Sequence, residues 1–322
     1  GIPADGGAGQ TRSIGPVMRG SNFGPSGGTA ASPGSGSTKV APRGLIGPNP
    51  GQIPSMLSPA PGVGLQQLVP GQVGLTVSAR FGKGEGAIPG GLDWRVYSDQ
   101  PDKTGRVRLV KEDKAASPTF MLPPGGYVVH VSFGLATATR HVRLRSETVR
   151  EVFDLPAGGI RLEGRVGDVR IPSGQIAFDI FPGSQFDPGD KRPITAHVLT
   201  GDVVVLPAGT YHIVSNYGDA NAVIRSDIRV QPGKLTDVTV THHAAIITLK
   251  LVNERGGEAL ANTAWSVLTP GGDVIKESIG AFPRFILAEG DYRVIARNES
   301  KVFERAFKVK SGVDGEVEVQ AQ

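Results

Sequence analysis

The segment Leu206-Pro207-Ala208-Gly209-Thr210-Tyr211-His212-Ile213-Val214 occurs twice more in similar form. It returns as Leu122-Pro123-Pro124-Gly125-Gly126-Tyr127-Val128-Val129 and as Leu287-Ala288-Glu289-Gly290-Asp291-Tyr292-Arg293-Val294. The three tyrosines lie 84 and 81 residues apart. A period of this size means that the chain is built from copies of one structural unit. In each copy an apolar run ends, a turn containing Gly and mostly Pro follows, and tyrosine opens the next run, as at a strand-turn-strand corner.

The rest of each copy reads as strand. Leu75, Val77 and Ala79 alternate with polar positions, as do Val142 and Leu144 within His141 to Arg145. Trp94, Phe178 and Trp265 recur at 84 and 87 residues. That places an aromatic at the same point of every copy and favours a core role over a ligand platform. The reading is about seven short strands per copy and no helix, hence antiparallel β-sandwiches in tandem. The expected boundaries are 71–156, 157–242 and 243–322. The last strand of one copy runs almost directly into the first strand of the next, so a semi-rigid rod is expected.

Residues 1–70 differ in kind. They hold 27 of the 71 glycines and prolines in a chain of 322 residues. A Gly/Pro/Ser segment without apolar periodicity does not bury enough surface to offset its ordering entropy, so a disordered leader is expected there. Leu45-Ile46 and Met56-Leu57 are its candidate docking points. The sequence begins at Gly1 rather than Met, as a chain processed after export does, and as a shortened chain does equally.

The third copy carries a resemblance. Val252-Asn253-Glu254-Arg255-Gly256-Gly257-Glu258-Ala259-Leu260, then Trp265-Ser266-Val267, then Leu287-Ala288-Glu289-Gly290-Asp291-Tyr292 resembles the prealbumin-like modules typified by carboxypeptidase regulatory domains. All three copies follow this order. The Thr-Asp-x-x-Gly turn common before the corner strand in that family is only partly present, at Leu199-Thr200-Gly201-Asp202. The resemblance implies three tandem Ig-like or prealbumin-like antiparallel β-sandwich repeats. It also implies a role as stalk, regulatory attachment or ligand-binding accessory in bacterial envelope or secreted proteins. No catalytic residues come with it, and the motif carries little about function.

Chemistry is sparse. No cysteine is present, which excludes disulfides, thiolate metal sites and thiol nucleophiles. No apolar run is long enough for a membrane-spanning helix. Among the six histidines, no pair has helical metal-ligand spacing. His242 and His243 are strand neighbours and should face opposite ways. Asp187-Pro188-Gly189-Asp190 reads as a tight turn rather than a calcium loop, since the ligand count is too small. No cofactor and no metal site is expected.

Charge is unevenly placed. Residues 1–70 carry four basic groups and one acid, residues 71–156 twelve and nine, and the last two copies eight and nine, then ten and eleven. This surplus is too mild for a nucleic-acid partner. Period-two geometry puts His141, Arg143 and Arg145 on one outer face, with Arg150 joining from the following strand. This is a candidate face for an anionic partner. The expectation is a non-catalytic periplasmic or secreted spacer that engages a protein partner or envelope component. The alternatives are a binding module for glycan or another anionic envelope component, and last a hydrolase.

Overall fold

The computed structural model describes residues 70–322. The expected leader, apart from Pro70, lies outside the described residues. The first copy contains β1 (Val73–Arg80), β2 (Leu92–Pro101), β3 (Val107–Asp113), β4 (Thr119–Leu122), β5 (Gly125–Phe133), β6 (Ala136–Leu144) and β7 (Val149–Asp154). They form a sheet of order β4-β1-β7 facing a sheet of order β3-β2-β5-β6.

The second copy contains β8 (Ala157–Val166), β9 (Val169–Arg170), β10 (Ile176–Pro182), β11 (Thr195–Val198), β12 (Val203–Pro207), β13 (Gly209–Tyr217), β14 (Ala222–Val230) and β15 (Leu235–His242). Its sheets are β12-β8-β15, with β9 paired to β8, and β11-β10-β13-β14. The third contains β16 (Ala244–Val252), β17 (Ala264–Leu268), β18 (Val274–Ile279), β19 (Arg284–Ala288), β20 (Gly290–Asn298), β21 (Lys301–Val309) and β22 (Gly315–Gln320), arranged as β19-β16-β22 and β18-β17-β20-β21. One two-sheet β-sandwich is thus written three times, and its described residues hold no α-helix.

The sheets are antiparallel with one refinement. The first and last strands of each sandwich pair in parallel, as β1 with β7, β8 with β15 and β16 with β22. Parallel neighbours need a long crossover. Here the intervening strands of both sheets supply it, and this pairing locks each sandwich into a unit.

Alternation fills the cores. Leu75, Val77 and Ala79 of β1 face Trp94, Val96, Val129 and Val131 of the opposite sheet, all buried. Trp94 and Trp265 sit at the centre of the first and third cores. Their indole N–H groups donate to Ala115 O at 3.1 Å and Gly280 O at 2.8 Å, so the ring is buried with its one donor satisfied. Phe178 takes the same place in the second core, where no such donor needs a partner.

The corner tyrosines work alike. Each is buried, and its hydroxyl donates to the carbonyl four residues back: Tyr127 to Pro123 at 2.7 Å, Tyr211 to Pro207 at 2.7 Å and Tyr292 to Ala288 at 2.5 Å. Burial pushes all three hydroxyl pKa values up. The ring fills the end of the core while the hydroxyl pins the turn that enters the strand.

Candidate functional site

Successive sandwiches meet through the same joint. Seven residues after each corner tyrosine the hairpin to the next strand turns, at Gly134, Gly218 and Glu299. Gly134 adopts φ +57° and lies on β12 of the second sandwich, where an added Cβ would come within 2.5 Å of Val205 Cβ. Gly218 adopts φ +71° and lies on β19 of the third sandwich, where an added Cβ would come within 2.8 Å of Ile286 Cβ. Val205 and Ile286 occupy the same position, six residues before Tyr211 and Tyr292. Each packs against the core of the preceding sandwich as well as standing in its own strand. Both the left-handed backbone and the lack of room demand glycine at these two hairpins.

Each joint has added ties. In the first, Leu135 N–H donates to Val205 O at 3.0 Å, and Phe81 packs edge-on to Phe133 and over Gly233. In the second, the Asn221 amide bridges two groups of the next sandwich. Its Nδ2 donates to the Tyr292 hydroxyl at 2.8 Å, and its Oδ1 accepts from Ala288 N–H at 3.0 Å. Lys276 pairs with Asp219 at 2.8 Å across the same joint. The linkers are two residues between β7 and β8 and one between β15 and β16. Little slack separates the units.

A second recurring feature joins the two sheets within a sandwich. Arg140 of β6 donates to Val152 O at 3.1 Å on β7, pairs with Glu151 at 2.5 Å, and lays its guanidinium 4.7 Å from the Phe153 ring centroid. Arg305 of β21, at the matching register, donates to Glu318 O on β22. Ser226 replaces it in the second sandwich and is buried. Sequence reasoning did not find this latch, because a strand arginine reads as a solvated charge even when, like Arg140, it shares the inward face of Val142 and Leu144.

The candidate anionic face is divided by the fold. His141 and Arg143 are exposed on the outside of the sheet β3-β2-β5-β6, with Val142 and Leu144 turned into the core. Arg145 is exposed just beyond the end of β6. Arg150 is exposed too, but β7 belongs to the other sheet, so it points away from the opposite side of the sandwich. Beside Arg143, the Asp99 carboxylate lies over the space that a side chain at Gly126 would take. Val128 is the neighbour of His141 in its row of the sheet, with Tyr97 the next residue beyond. The face is a mixed apolar and basic surface with an acid set into it.

Among the histidines, His242 and His243 point opposite ways as expected: His242 is 1% exposed and His243 is exposed. His242 Nε2 lies 2.7 Å from Ser215 Oγ, its ring meets Tyr217 edge-on, and burial lowers its pKa to about 4, with the neighbouring His243 charge adding to the shift. A serine and histidine at this distance have the contact of a nucleophile and its base. Ser215, however, is fully buried, and no carboxylate among the described residues bonds the far side of the ring. The pair therefore serves the core, where it satisfies two polar groups with one bond.

Asp187 forms a turn. Its carboxylate accepts from Ser184 N–H at 2.8 Å and pairs with Lys191 at 2.9 Å, and these bonds, Lys191 first, hold its pKa below the usual range. No group of three or more His, Asp or Glu fit to hold a metal occurs among the described residues. No helix of the described residues is long and apolar enough to cross a membrane, which says nothing of strands.

Comparison with known proteins adds one family. Residues 246–321, nearly all of the third sandwich, match the Rhizobiales growth-associated tandem repeat domain. No curated protein matches the chain in sequence. Among solved structures, the chain is similar to the Bacillus anthracis TIE protein at 13% identity and TM-score 0.22, covering 78% of this chain and 51% of that one. It thus spans about half of that protein's length. It is also similar to the minor pilin GBS52 of Streptococcus agalactiae, at 14% identity and TM-score 0.29 over 53% of this chain and 95% of that one. With the major pilin subunit BcpA of Bacillus cereus, identity is 10% and the TM-score 0.23, over 78% of this chain and all of that one.

Proposed function

We propose that the chain is a non-catalytic spacer outside the cytoplasm, with modules at 71–156, 157–242 and 243–322, which holds its surfaces at a set separation and orientation for a protein partner. The observation that carries this reading is the repeated joint. A flexible tether needs no obligatory glycine at the contact. Here two such glycines, 84 residues apart, seat on equivalent strand residues. The family match of the third module to a tandem repeat domain accords with a unit used in series.

Small-angle scattering of the full chain and of Gly134→Val and Gly218→Val variants tests it. The native chain should scatter as a particle of fixed maximum dimension, and each variant should broaden that distribution while its cores stay folded by circular dichroism. Protease should cut the variants at 155–157 or 243 and spare the native chain there. Unchanged scattering and equal resistance in both variants would refute the fixed spacer.

A second reading has a specific basis in the sheet β3-β2-β5-β6, where His141 and Arg143 stand beside Tyr97 and Val128 with Arg145 at the strand end. This surface suits an anionic envelope component that also offers an apolar face. Binding to anionic vesicles should fall with salt, because exposed charges are screened within about 8 Å at physiological ionic strength. It should fall again in Arg143→Glu/Arg145→Glu and hold in Arg150→Glu. Equal loss in all three variants would remove the sheet face as the site.

A further inference from the structure

The turn between β10 and β11 sets the second sandwich apart. It runs over residues 183–194, twelve residues, whereas the equivalent turns in the first and third sandwiches take residues 102–106 and 269–273, five each. The long turn folds back over the outer face of the sheet β11-β10-β13-β14 and is tied down at both ends. Gly183 N–H donates to Thr210 O at 3.0 Å, and Ile194 N–H donates to Ile180 O at 2.7 Å. Between them, Gln185 N–H donates to Asp227 Oδ1 at 2.8 Å, Ser184 Oγ donates to Asp227 Oδ2, and Lys191 Nζ donates to Ser184 O at 2.8 Å. Loops held in this way on a rigid sheet are where binding groups are usually carried.

This loop borders an open cleft of about 320 Å³. Phe181 and His212 line it, stacked with centroids 4.9 Å apart and planes 8° apart. His212 is an outward residue of its strand, yet only 5% exposed, because the loop covers it. Its Nδ1 is engaged with Gly183 O at 3.1 Å. Three polar side chains along the cavity have no partner among the described residues: Gln185, Asp190 and Arg225. Lys191 and Asp187 neutralise one another. The charges left uncommitted are one guanidinium and one carboxylate. Phe186 stands at the loop tip, 84% exposed.

These features narrow the ligand. A simple anion gains from Arg225 and is opposed by Asp190, and a simple cation meets the reverse. A ligand rich in groups that both donate and accept satisfies both, together with the Gln185 amide. The aromatic lining, Phe181 against His212, then calls for an apolar face on that same ligand. A sugar ring has both properties, and the cavity volume lies at the small end of small-molecule sites. We propose that this loop of the second sandwich is a binding site for a mono- or disaccharide unit, with Arg225 and Asp190 gripping hydroxyls and the aromatic groups taking the C–H face. The site stands independently of the spacer reading.

The test is amide-resolved NMR of the full chain titrated with cellobiose, N,N′-diacetylchitobiose and digalacturonate. At least one probe should produce saturable shifts in the millimolar range, confined to residues 181–192, 212 and 225–227. Arg225→Ala and Asp190→Asn should each weaken that probe about tenfold, the scale of one charged hydrogen bond. Phe186→Ala, on the same loop but outside the cleft lining, should leave the affinity nearly unchanged, with native spectra elsewhere. These three residues are exposed, so the variants should fold, and unperturbed core amides check that they do. No saturable shift with any probe would overturn the proposal, as would shifts that map elsewhere or survive Arg225→Ala. Binding of digalacturonate alone that vanishes in high salt would overturn it too, since that is charge attraction without ring recognition.

Discussion

Acidification should loosen the second sandwich through His242. In the folded chain this histidine is neutral, with its pKa lowered from 6.5 to about 4 by burial first and the His243 charge second. Unfolding returns the pKa to its ordinary value, so the unfolded chain binds the extra proton first as pH falls. Stability from the buried neutral ring is therefore complete above about pH 6.5 and declines below it, levelling off once pH passes under the folded value. Each pKa unit is worth about 1.4 kcal/mol, which makes the loss about 2 kcal/mol by pH 5 and about 3 kcal/mol by pH 4.

Many carboxylates titrate nearby in pH, so the comparison must cancel them. The variant Ser215→Ala/His242→Leu removes both partners of the 2.7 Å bond at once and leaves no orphaned polar group. Leucine is a natural choice, since Leu155 fills the matching position of the first sandwich, buried within its core. Amide exchange in β13 and β15, measured for both proteins from pH 7 to pH 4 and corrected for intrinsic rates, reads local stability in this sandwich alone. The native chain should lose about 3 kcal/mol more than the variant over that range. Parallel losses would show that His242 is not the titrating group and that the ring is solvated before the sandwich opens.

Other expectations follow from the same geometry. Tyr211→Ala should cost roughly 3–5 kcal/mol, as for other buried aromatics, while Tyr211→Phe should cost about 1 kcal/mol for the lost bond to Pro207 O, both by chemical denaturation. Arg140→Met keeps the stem over Phe153 but cuts the tie to β7, so exchange at Val149–Asp154 should speed up while β2 and β5 stay protected. Tryptophan emission should be blue-shifted and poorly quenched by iodide, because Trp94 and Trp265 are both essentially buried. A red, readily quenched emission would place one of the rings outside its core.

The sequence made the unit legible because the unit depends on periodicity and corner chemistry. Alternation placed Val142 and Leu144 inside and His141 and Arg143 outside, and the spacing of Trp94, Phe178 and Trp265 marked the core. What escaped depends on contacts between segments far apart in the chain. Arg150 looked close to Arg143 because seven residues separate them, but the chain changes sheets between β6 and β7. Gly134 and Gly218 looked like ordinary turn glycines. Their need for space becomes visible only once Val205 and Ile286 are set against them. The cavity beside His212 was hidden for a like reason, since a turn rich in Asp, Pro and Gly reads the same whether it hangs in solvent or folds back over a sheet.

The third hairpin holds Glu299 where the other two hold glycine. Its backbone is left-handed at the first turn position, φ +46° at Glu299, as at Gly134 and Gly218, and also at Ser300, φ +71°, so this hairpin differs from the other two in both turn and side chain. This makes lengthening by duplication a directional matter. A copy of the 84-residue stretch from Leu135 to Gly218 carries both halves of a joint within it and can be spliced in behind itself without new mutations. Extension beyond the third unit instead requires the glutamate to be replaced at the same time as a new unit is added. For the proposed spacer, length is therefore more readily changed from the middle, and an engineer who wants a longer chain should insert internally or begin with Glu299→Gly.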